Sequence, residues 1–388
     1  MKHTYSIGTA LLLSGVTLCT LVNASVLDTT NISFSGYIKA DAILSQYSDG
    51  TLASGNVGRD FYLPSLTPVG GAQESEQFDA HIRQSRFRFT TNTSLNNGDK
   101  LTGVLEFDFQ TTPDGNDRVS NSYEPRIRHA YIQYQNWLIG QTWSTFQDVK
   151  ALPETLDFIG VTDGTIFSRQ TIMRYSNSGF AISVENPEST ITPFGGGTRI
   201  VADDNNLPDL AASYNMQQNW GYIQVSGLLR QLRYINQQEG EDINSSTASY
   251  GLSLTGKVML GNDDIRFMFN TGKGLGRYLA LNAVNAAVLD ANNELQTIDS
   301  TGMALAYRHL WSEQWRSNFT YAVFKADNDT SLTGTDATKT TSSARINLLY
   351  SPSKELTFGG EFSRAKRELE NGNDGDMNRL QFSATYGF

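Results

Sequence analysis

The chain has 388 residues, of which 39% are hydrophobic and 18% are charged, and its formal net charge is −10. It holds a single cysteine, Cys19, which excludes an intrachain disulfide framework and a cysteine-ligated metal. Beyond the N-terminal segment no apolar run approaches the roughly 20 residues that a membrane helix needs, so a helical membrane protein is also excluded.

The N-terminal segment has the pattern of a secretory signal peptide. A basic start is followed by a mostly apolar stretch from Leu11 to Val22, and Ala24 ends a small-residue cleavage site. The stretch is too short to span a bilayer comfortably. We therefore expect a cleaved signal peptide at residues 1–24 and a single domain at residues 25–388.

Apolar and polar residues alternate from residue 32 to the C terminus. In the last nine residues Leu380, Phe382 and Tyr386 share one parity, and Gln381 and Ser383 share the other. Successive side chains of a strand point to opposite faces, so each such segment predicts a strand with one apolar and one polar face. About sixteen segments have this pattern, near residues 32–44, 86–89, 101–110, 126–135, 137–143, 169–176, 179–186, 208–217, 220–235, 249–258, 265–269, 300–311, 314–327, 344–350, 356–363 and 380–388.

Short turns and long loops alternate between these segments. This layout is typical of a transmembrane β-barrel with short periplasmic turns and long extracellular loops, whereas a soluble β-sandwich would not alternate so strictly. Trp137, Trp220, Trp311 and Trp315 lie beside short turns, where indole rings favour the membrane interface. We predict a closed all-β antiparallel barrel with long loops near residues 48–80, 112–125, 144–168, 187–207, 236–246, 273–299, 328–340 and 367–377.

One segment does not fit a single register. In residues 126–135, Arg126 and Arg128 share a parity with apolar Ala130 and Ile132. A β-bulge near His129 would restore the alternation. An outer face covered by protein, such as a subunit contact, would also explain it.

If the apolar parity faces lipid, the opposite parity lines the lumen and is rich in basic residues. A water-filled pore lined in this way favours anions, because fixed positive charge repels cations and a wall of low dielectric focuses the field. The alternative is that these cations pair with lumen acids and hold the barrel's shape. The predicted pore-lining and substrate-binding residues are Lys39, Arg86, Arg88, Arg174, Arg230, Arg266, Arg308, Arg316, Arg345 and Arg379.

The loop at residues 144–168 is too apolar to extend into water, since it contains Phe146, Leu156 and Ile159. Folding into the lumen would shelter these side chains and narrow the pore; packing on neighbouring loops outside is the alternative. The charged residues predicted at the resulting constriction are Asp148, Lys150, Glu154, Asp157 and Asp163.

Several motifs, taken in order, resemble the DcaP-like outer-membrane porins, a family of the general bacterial porin type. The resemblance rests on the runs at residues 32–41, 83–89, 139–146 and 272–278 and on the terminal Phe388, and it covers the mature chain. It implies a sixteen-stranded barrel, a homotrimer, a third loop inside the pore and uptake of small anions such as dicarboxylates. The founding members carry a helical segment before the first strand, which the short spacing here does not predict.

The predicted function is passive diffusion of small hydrophilic solutes through the outer membrane, with a preference for anions. The expected partners are such solutes, outer-membrane lipid and lipopolysaccharide, and not nucleic acid. An enzyme is disfavoured because only His81, His129 and His309 follow the signal segment and G-x-S-x-G is absent. No cofactor or metal is expected; the oxygen-rich runs at residues 114–117 and 371–376 lack the spacing of an EF-hand. An adhesin or structural barrel that acts through its loops is the alternative function.

Overall fold

The computed structural model describes residues 30–72, 76–111, 122–238 and 241–388. The predicted signal peptide and the acidic run at residues 114–117 lie outside these ranges. Sixteen strands form a closed antiparallel barrel, which confirms the predicted fold class.

The wall closes at the first strand, β1 (Thr30–Tyr47). It pairs with β21 (Asp374–Gly387) on one side and with β2 (Gln77–His81) and β3 (Arg86–Ser94) on the other. Because β2 and β3 lie end to end along β1, they count as one barrel strand. The barrel strands are β1 (Thr30–Tyr47), β2 (Gln77–His81), β3 (Arg86–Ser94), β4 (Lys100–Asp108), β5 (Arg126–Tyr134), β6 (Trp137–Trp143), β7 (Arg169–Asn177), β8 (Phe180–Glu185), β11 (Asp209–Gln218), β12 (Gly221–Gln238), β13 (Glu241–Leu260), β14 (Asp263–Lys273), β17 (Asp299–Leu310), β18 (Trp315–Asp327), β19 (Thr338–Tyr350), β20 (Leu356–Leu369) and β21 (Asp374–Gly387).

Four short strands at the extracellular rim form a second sheet. Its strands come from two different loops and are β9 (Ser189–Thr192), β10 (Ile200–Ala202), β15 (Ala287–Leu289) and β16 (Leu295–Thr297). Apolar residues between this sheet and the upper ends of β12 and β13 form a core that includes Ile191, Leu232 and Ile243. The loops at residues 187–207 and 273–299 are therefore folded structure, which the sequence reading did not predict.

The two faces of the barrel wall differ in polarity. In β21, Leu380 and Phe382 are 42% and 60% exposed, whereas Gln381 between them is 2% exposed. Apolar side chains outside and polar side chains inside reverse the arrangement of a soluble sheet and produce the band that contacts lipid. Tryptophans beside the short turns are 40% to 60% exposed, namely Trp137, Trp220, Trp311 and Trp315.

The irregular segment at residues 126–135 contains the predicted bulge. Glu106 pairs with His129 and the next residue, Phe107, pairs with Ile127, so the register shifts between them and Arg128 is the extra residue. The bulge places both His129 and Arg128 on the inner side, where Arg128 is 2% exposed.

Two predicted loops are shorter than expected. In place of the loop at 236–246, β12 and β13 pair as far as Gln238 and Glu241. In place of the loop at 367–377, β20 continues to Leu369 and β21 begins at Asp374. The sequence prediction failed because these strand ends extend above the lipid band, so their outer residues are polar and exposed and the apolar parity that signals a membrane strand is lost.

Helical structure in the described residues is limited to short turns. The α-helices are Val57–Asp60 and Thr330–Thr333, and the 3₁₀ turns are Pro64–Leu66, Val149–Ala151, Thr162–Gly164 and Gly276–Tyr278. Within the described ranges, no helix has the length and apolarity needed to cross a bilayer.

Candidate pore and constriction

Residues 144–168, here called the inward loop, connect β6 and β7 and fold into the barrel. Phe146, Ile159 and Val161 are at most 3% exposed. The expectation that this loop is sheltered inside the lumen is confirmed. The loop lies against the wall formed by β13, β14 and β17–β21. It also contacts β5 through Phe158 and β8 through Thr145.

The backbone of the inward loop packs directly against the backbone of the wall at Gly164. A side-chain carbon at Gly164 would lie 2.1 Å from the backbone oxygen of Met303, and one at Gly302 would lie 3.0 Å from the backbone oxygen of Asp163. The side-chain amide of Asn270 donates a hydrogen bond to the Gly164 carbonyl at 2.7 Å. Glycine at positions 164 and 302 therefore permits backbone-to-backbone packing of the loop on β17.

Replacement of Gly302 with valine tests this packing. The added side chain would collide with the inward loop, and overpacking of this kind costs about 1–3 kcal/mol. We expect the barrel to fold, the loop to move toward the open lumen and the single-channel conductance to fall. Gly227→Val is the matched control, because a side-chain carbon at Gly227 meets no atom within 4 Å. Equal conductance of the two variants would contradict the role of Gly302.

Asp163 anchors the middle of the inward loop. Its carboxylate accepts hydrogen bonds from the hydroxyls of Tyr62 at 2.9 Å and Thr341 at 2.6 Å, and from that of Ser343. Burial raises the pKa of Asp163, and the hydrogen bonds from these hydroxyls lower it in part. The side chain thus joins the inward loop to β19 and to the loop that follows β1.

Two buried arginines extend this anchor. Arg345 donates a hydrogen bond from Nε to the Gly160 carbonyl at 2.8 Å, lies 3.6 Å from Glu361 and stacks on the ring of Tyr62 at 5.0 Å. Arg379 lies 3.9 Å from Asp157. These contacts hold the loop by charge and hydrogen bonding in a region with little solvent.

The other end of the loop is fixed at Asp148. Its carboxylate accepts hydrogen bonds from the hydroxyls of Tyr222 at 2.9 Å and Thr255 at 2.7 Å. Farther along, Glu154 forms an ion pair with Arg316. Of the charged residues predicted at the constriction, Asp148, Glu154, Asp157 and Asp163 bind the wall, whereas Lys150 is exposed to the lumen.

Most of the predicted basic wall is paired with acid. Nine of the ten predicted cations have a carboxylate within ion-pair distance. The alternative reading, in which cations hold the barrel's shape, therefore describes many of these residues. The pairs are Lys39–Asp41, Arg86–Glu106, Arg88–Glu106, Arg230–Asp209, Arg266–Asp264, Arg308–Asp264, Arg316–Glu154, Arg345–Glu361 and Arg379–Asp157.

Arg174 is the exception among these ten. It donates a hydrogen bond to the backbone carbonyl of Trp143 at 3.3 Å, and no ion pair of the described residues includes it. Arg174 and Lys150 line a cavity of about 460 Å³ inside the barrel, next to the short turn at Ser178. Its other lining residues are uncharged, so the described lining of this chamber carries positive charge and no carboxylate.

The sequence reading missed three further arginines on the inner wall. The guanidinium groups of Arg126 and Arg128 lie 5.7 and 5.4 Å from the ring centre of Phe158, and those of Arg128 and Arg169 lie 5.5 and 4.8 Å from that of Trp143. The sequence did contain a signal for Arg126 and Arg128, because their parity is irregular within the strand. It contained no signal for Arg169, because Arg169 has the same parity as the apolar face of its strand.

A second loop also enters the lumen. Residues 274–298, here called the mouth loop, contain Leu275 and Tyr278, both 0% exposed, and the Tyr278 ring packs against Phe146 of the inward loop at 6.1 Å. Gly274 and Gly276 have φ values of +72° and +48°, which favour glycine. The run at residues 272–278, one of the motifs on which the resemblance rests, is the point where the chain leaves β14 and turns into the barrel.

The described residues contain no cluster of three or more histidine, cysteine, aspartate or glutamate side chains with metal-binding geometry. The paired carboxylates and guanidinium groups inside the barrel instead bind one another. The geometry is therefore that of a wall with two inward loops and an aqueous space beside them.

The sequence profile of the DcaP outer membrane protein family matches residues 5–388. The chain belongs to this family. The resemblance proposed from the motifs is thereby confirmed. Membership also confirms the predicted location, the outer membrane, and the predicted class of protein, an outer-membrane channel of the porin type. The matching family is not a family of enzymes.

Comparison with solved structures supports the same fold. The chain is similar to the outer membrane channel DcaP of Acinetobacter baumannii, with 21% identity, a TM-score of 0.76 and coverage of 93% of this chain and 98% of that one. It also resembles the trimer form of OmpT from Vibrio cholerae, at 11% identity and a TM-score of 0.55, with coverage of 93% and 100%. An anion-selective porin from Comamonas acidovorans aligns at 9% identity and a TM-score of 0.55, with coverage of 92% and 100%. No curated protein matches the sequence.

Proposed function

We propose that this DcaP-family channel is a passive diffusion pore for small hydrophilic solutes that favours anions such as dicarboxylates. The observation that carries the proposal is the chamber of about 460 Å³ in which Lys150 and Arg174 are the charged lining residues. An ion that crosses this chamber meets two positive charges, neither of which forms an ion pair within the described residues, although Glu185 lies near enough to Arg174 to interact with it at longer range.

The physical basis is electrostatic. Fixed cations in a narrow aqueous space raise the local concentration of anions and repel cations, and the surrounding protein focuses this field. Elsewhere on the wall several cations share one carboxylate. On β3–β5 four arginines, Arg86, Arg88, Arg126 and Arg128, pair with only two carboxylates, Glu106 and Asp108, so this group also carries positive charge. We therefore assign the anion preference to two groups of cations, Lys150 with Arg174 in the chamber and the arginines of β3–β5, rather than to all ten predicted basic residues.

The barrel's shape supports a homotrimer. Strands β6 and β8 have only 7 and 6 residues. At about 3.3 Å per residue they are roughly 20–23 Å long, and a tilt of about 40° leaves less than the ~25 Å apolar band of an outer-membrane barrel. We propose that neighbouring copies cover this low wall, while lipid, including lipopolysaccharide in the outer leaflet, contacts the longer strands.

Efflux from proteoliposomes tests the proposed function. Succinate and the diamine putrescine have similar length and opposite charge, so their relative rates report charge preference rather than size. We expect both to leave channel-containing vesicles faster than empty ones, and succinate to leave faster than putrescine. Faster putrescine would overturn the anion preference. Efflux equal to that of empty vesicles would instead support the adhesin or structural alternative.

A further inference from the structure

A second cavity lies at the extracellular mouth, apart from the chamber that carries the proposed selectivity. It has a volume of about 650 Å³ and is enclosed by four loops and the upper end of β20. We call it the vestibule cavity. Its charged lining residues are Arg199, Arg367 and Asp336.

Both arginines of the vestibule cavity are bound by neutral groups. Arg199 donates hydrogen bonds to the side-chain oxygen of Asn285 at 2.6 Å and to the Asn282 carbonyl at 2.7 Å. Arg367 donates to the Ser65 carbonyl at 2.6 Å and to the Thr338 hydroxyl at 3.1 Å. In the part of the chain that the structure describes, neither guanidinium belongs to an ion pair.

These neutral partners orient the two guanidinium groups without cancelling their charge. Arg199 is exposed to solvent and Arg367 is partly buried. Partial loss of hydration without a counter-ion is unfavourable for a cation such as Arg367. An anion that enters the cavity would therefore gain from both arginines while the cavity keeps its shape.

The loops around the cavity are held together by direct backbone contacts. Gly195 donates a backbone hydrogen bond to Leu332 at 2.7 Å. A side-chain carbon at Gly334 would lie 2.7 Å from the backbone oxygen of Gly195, and one at Gly196 would lie 2.8 Å from that of Thr333. Glycine at these positions brings the two loops into contact, so the cavity is built before any solute arrives.

Asp336 is the acidic residue on the cavity lining. Its carboxylate accepts a hydrogen bond from the side chain of Asn371 at 2.9 Å, and no ion pair of the described residues includes it. Glu370 lies behind the lining, where it accepts a hydrogen bond from Asn328 at 2.8 Å. Two cations against one lining carboxylate leave the cavity with net positive charge.

We infer that the vestibule cavity is a capture site for carboxylate-bearing anions, which bind there before they reach the constriction. Arg367 and Arg199 hold the carboxylate groups by charge-assisted hydrogen bonds. The inference extends the proposed pore function by adding a binding site on the extracellular side. Its volume lies within the range of small-molecule sites, which suits a compact polycarboxylate.

The test uses citrate as the probe and has two independent readouts. Isothermal titration of the detergent-solubilised channel gives the citrate dissociation constant. Recordings from single channels in planar bilayers give the rate at which citrate, added to the extracellular side, interrupts the current. For Arg199→Gln and for Arg367→Gln we expect citrate affinity and interruption rate to fall about tenfold, the loss typical of one charge-assisted hydrogen bond.

Two further variants make the test specific. Arg364→Gln removes an exposed arginine of the same strand, with a side chain 64% exposed and paired with Asp376, and should leave citrate binding unchanged. Asp336→Asn removes the lining carboxylate and should strengthen citrate binding. Equal citrate affinity in the wild type, R199Q and R367Q would overturn the capture site. The reversal potential in KCl alone tests the proposed anion preference separately, because it requires no citrate.

Discussion

An Arg345→Met channel is expected to insert and conduct but to show unsteady current. Arg345 is 5% exposed, and it provides the inward loop with a hydrogen bond to Gly160 and a counter-charge for Glu361. Removing one member of a buried ion pair leaves an uncompensated charge and typically costs about 3–5 kcal/mol. Because the barrel strands keep their own hydrogen bonds, we expect this cost to release the loop rather than to unfold the wall.

Planar-bilayer recording measures this effect directly. The released loop should produce several conductance levels and closure at lower voltage than in the wild type. Arg364→Met is the matched control, since it removes an arginine that is exposed outside the lumen. A single steady conductance level in R345M, equal to that of R364M, would show that the loop is held without Arg345.

A Lys150→Gln, Arg174→Gln double variant is expected to lose a large part of the anion preference, while the arginines of β3–β5 retain the remainder. Two unit charges about 4 Å apart in water interact by about 1 kcal/mol, which corresponds to roughly a fivefold effect on relative permeability for each charge. The effect should be largest at low salt, because salt screens exposed charges. The reversal potential in a KCl gradient should therefore shift toward that of a nonselective pore.

The control for this variant removes the same number of charges elsewhere. Arg364 and Lys366 lie on the outer side of β20, with side chains 64% and 50% exposed. Their double replacement with glutamine should leave the reversal potential close to that of the wild type. If the two double variants shift the potential equally, the selectivity arises from the overall charge of the protein and not from the chamber.

The barrel wall could be predicted from the sequence because each strand carries its own signal. Alternation within a single segment such as residues 380–388 defines both its conformation and the face that meets lipid. The same rule predicted the bulge, because Arg128 does not fit the alternation of its neighbours. In the structure Arg128 is the extra residue of the bulge. The inward loop was predictable for a similar reason: its apolar residues require shelter.

The interior of the pore was harder to predict because it depends on pairs of distant residues. The alternation of residues placed Arg345 on the inner wall, but it did not show that the guanidinium group would bind Glu361 and the Gly160 carbonyl. The sheet formed by β9, β10, β15 and β16 joins two loops separated by many residues, and neither loop alternates over enough residues to signal a strand. In the sequence, Lys150 and Arg174 cannot be told apart from the other predicted basic residues. The structure distinguishes them because the others form ion pairs with carboxylates.

The central claim is tested most directly by the zero-current potential of the wild-type channel in a planar bilayer between two KCl solutions of different concentration. We predict that chloride crosses more readily than potassium, so that the zero-current potential has the sign of the chloride equilibrium potential. A potential of the opposite sign would show that cations pass preferentially and would contradict the account.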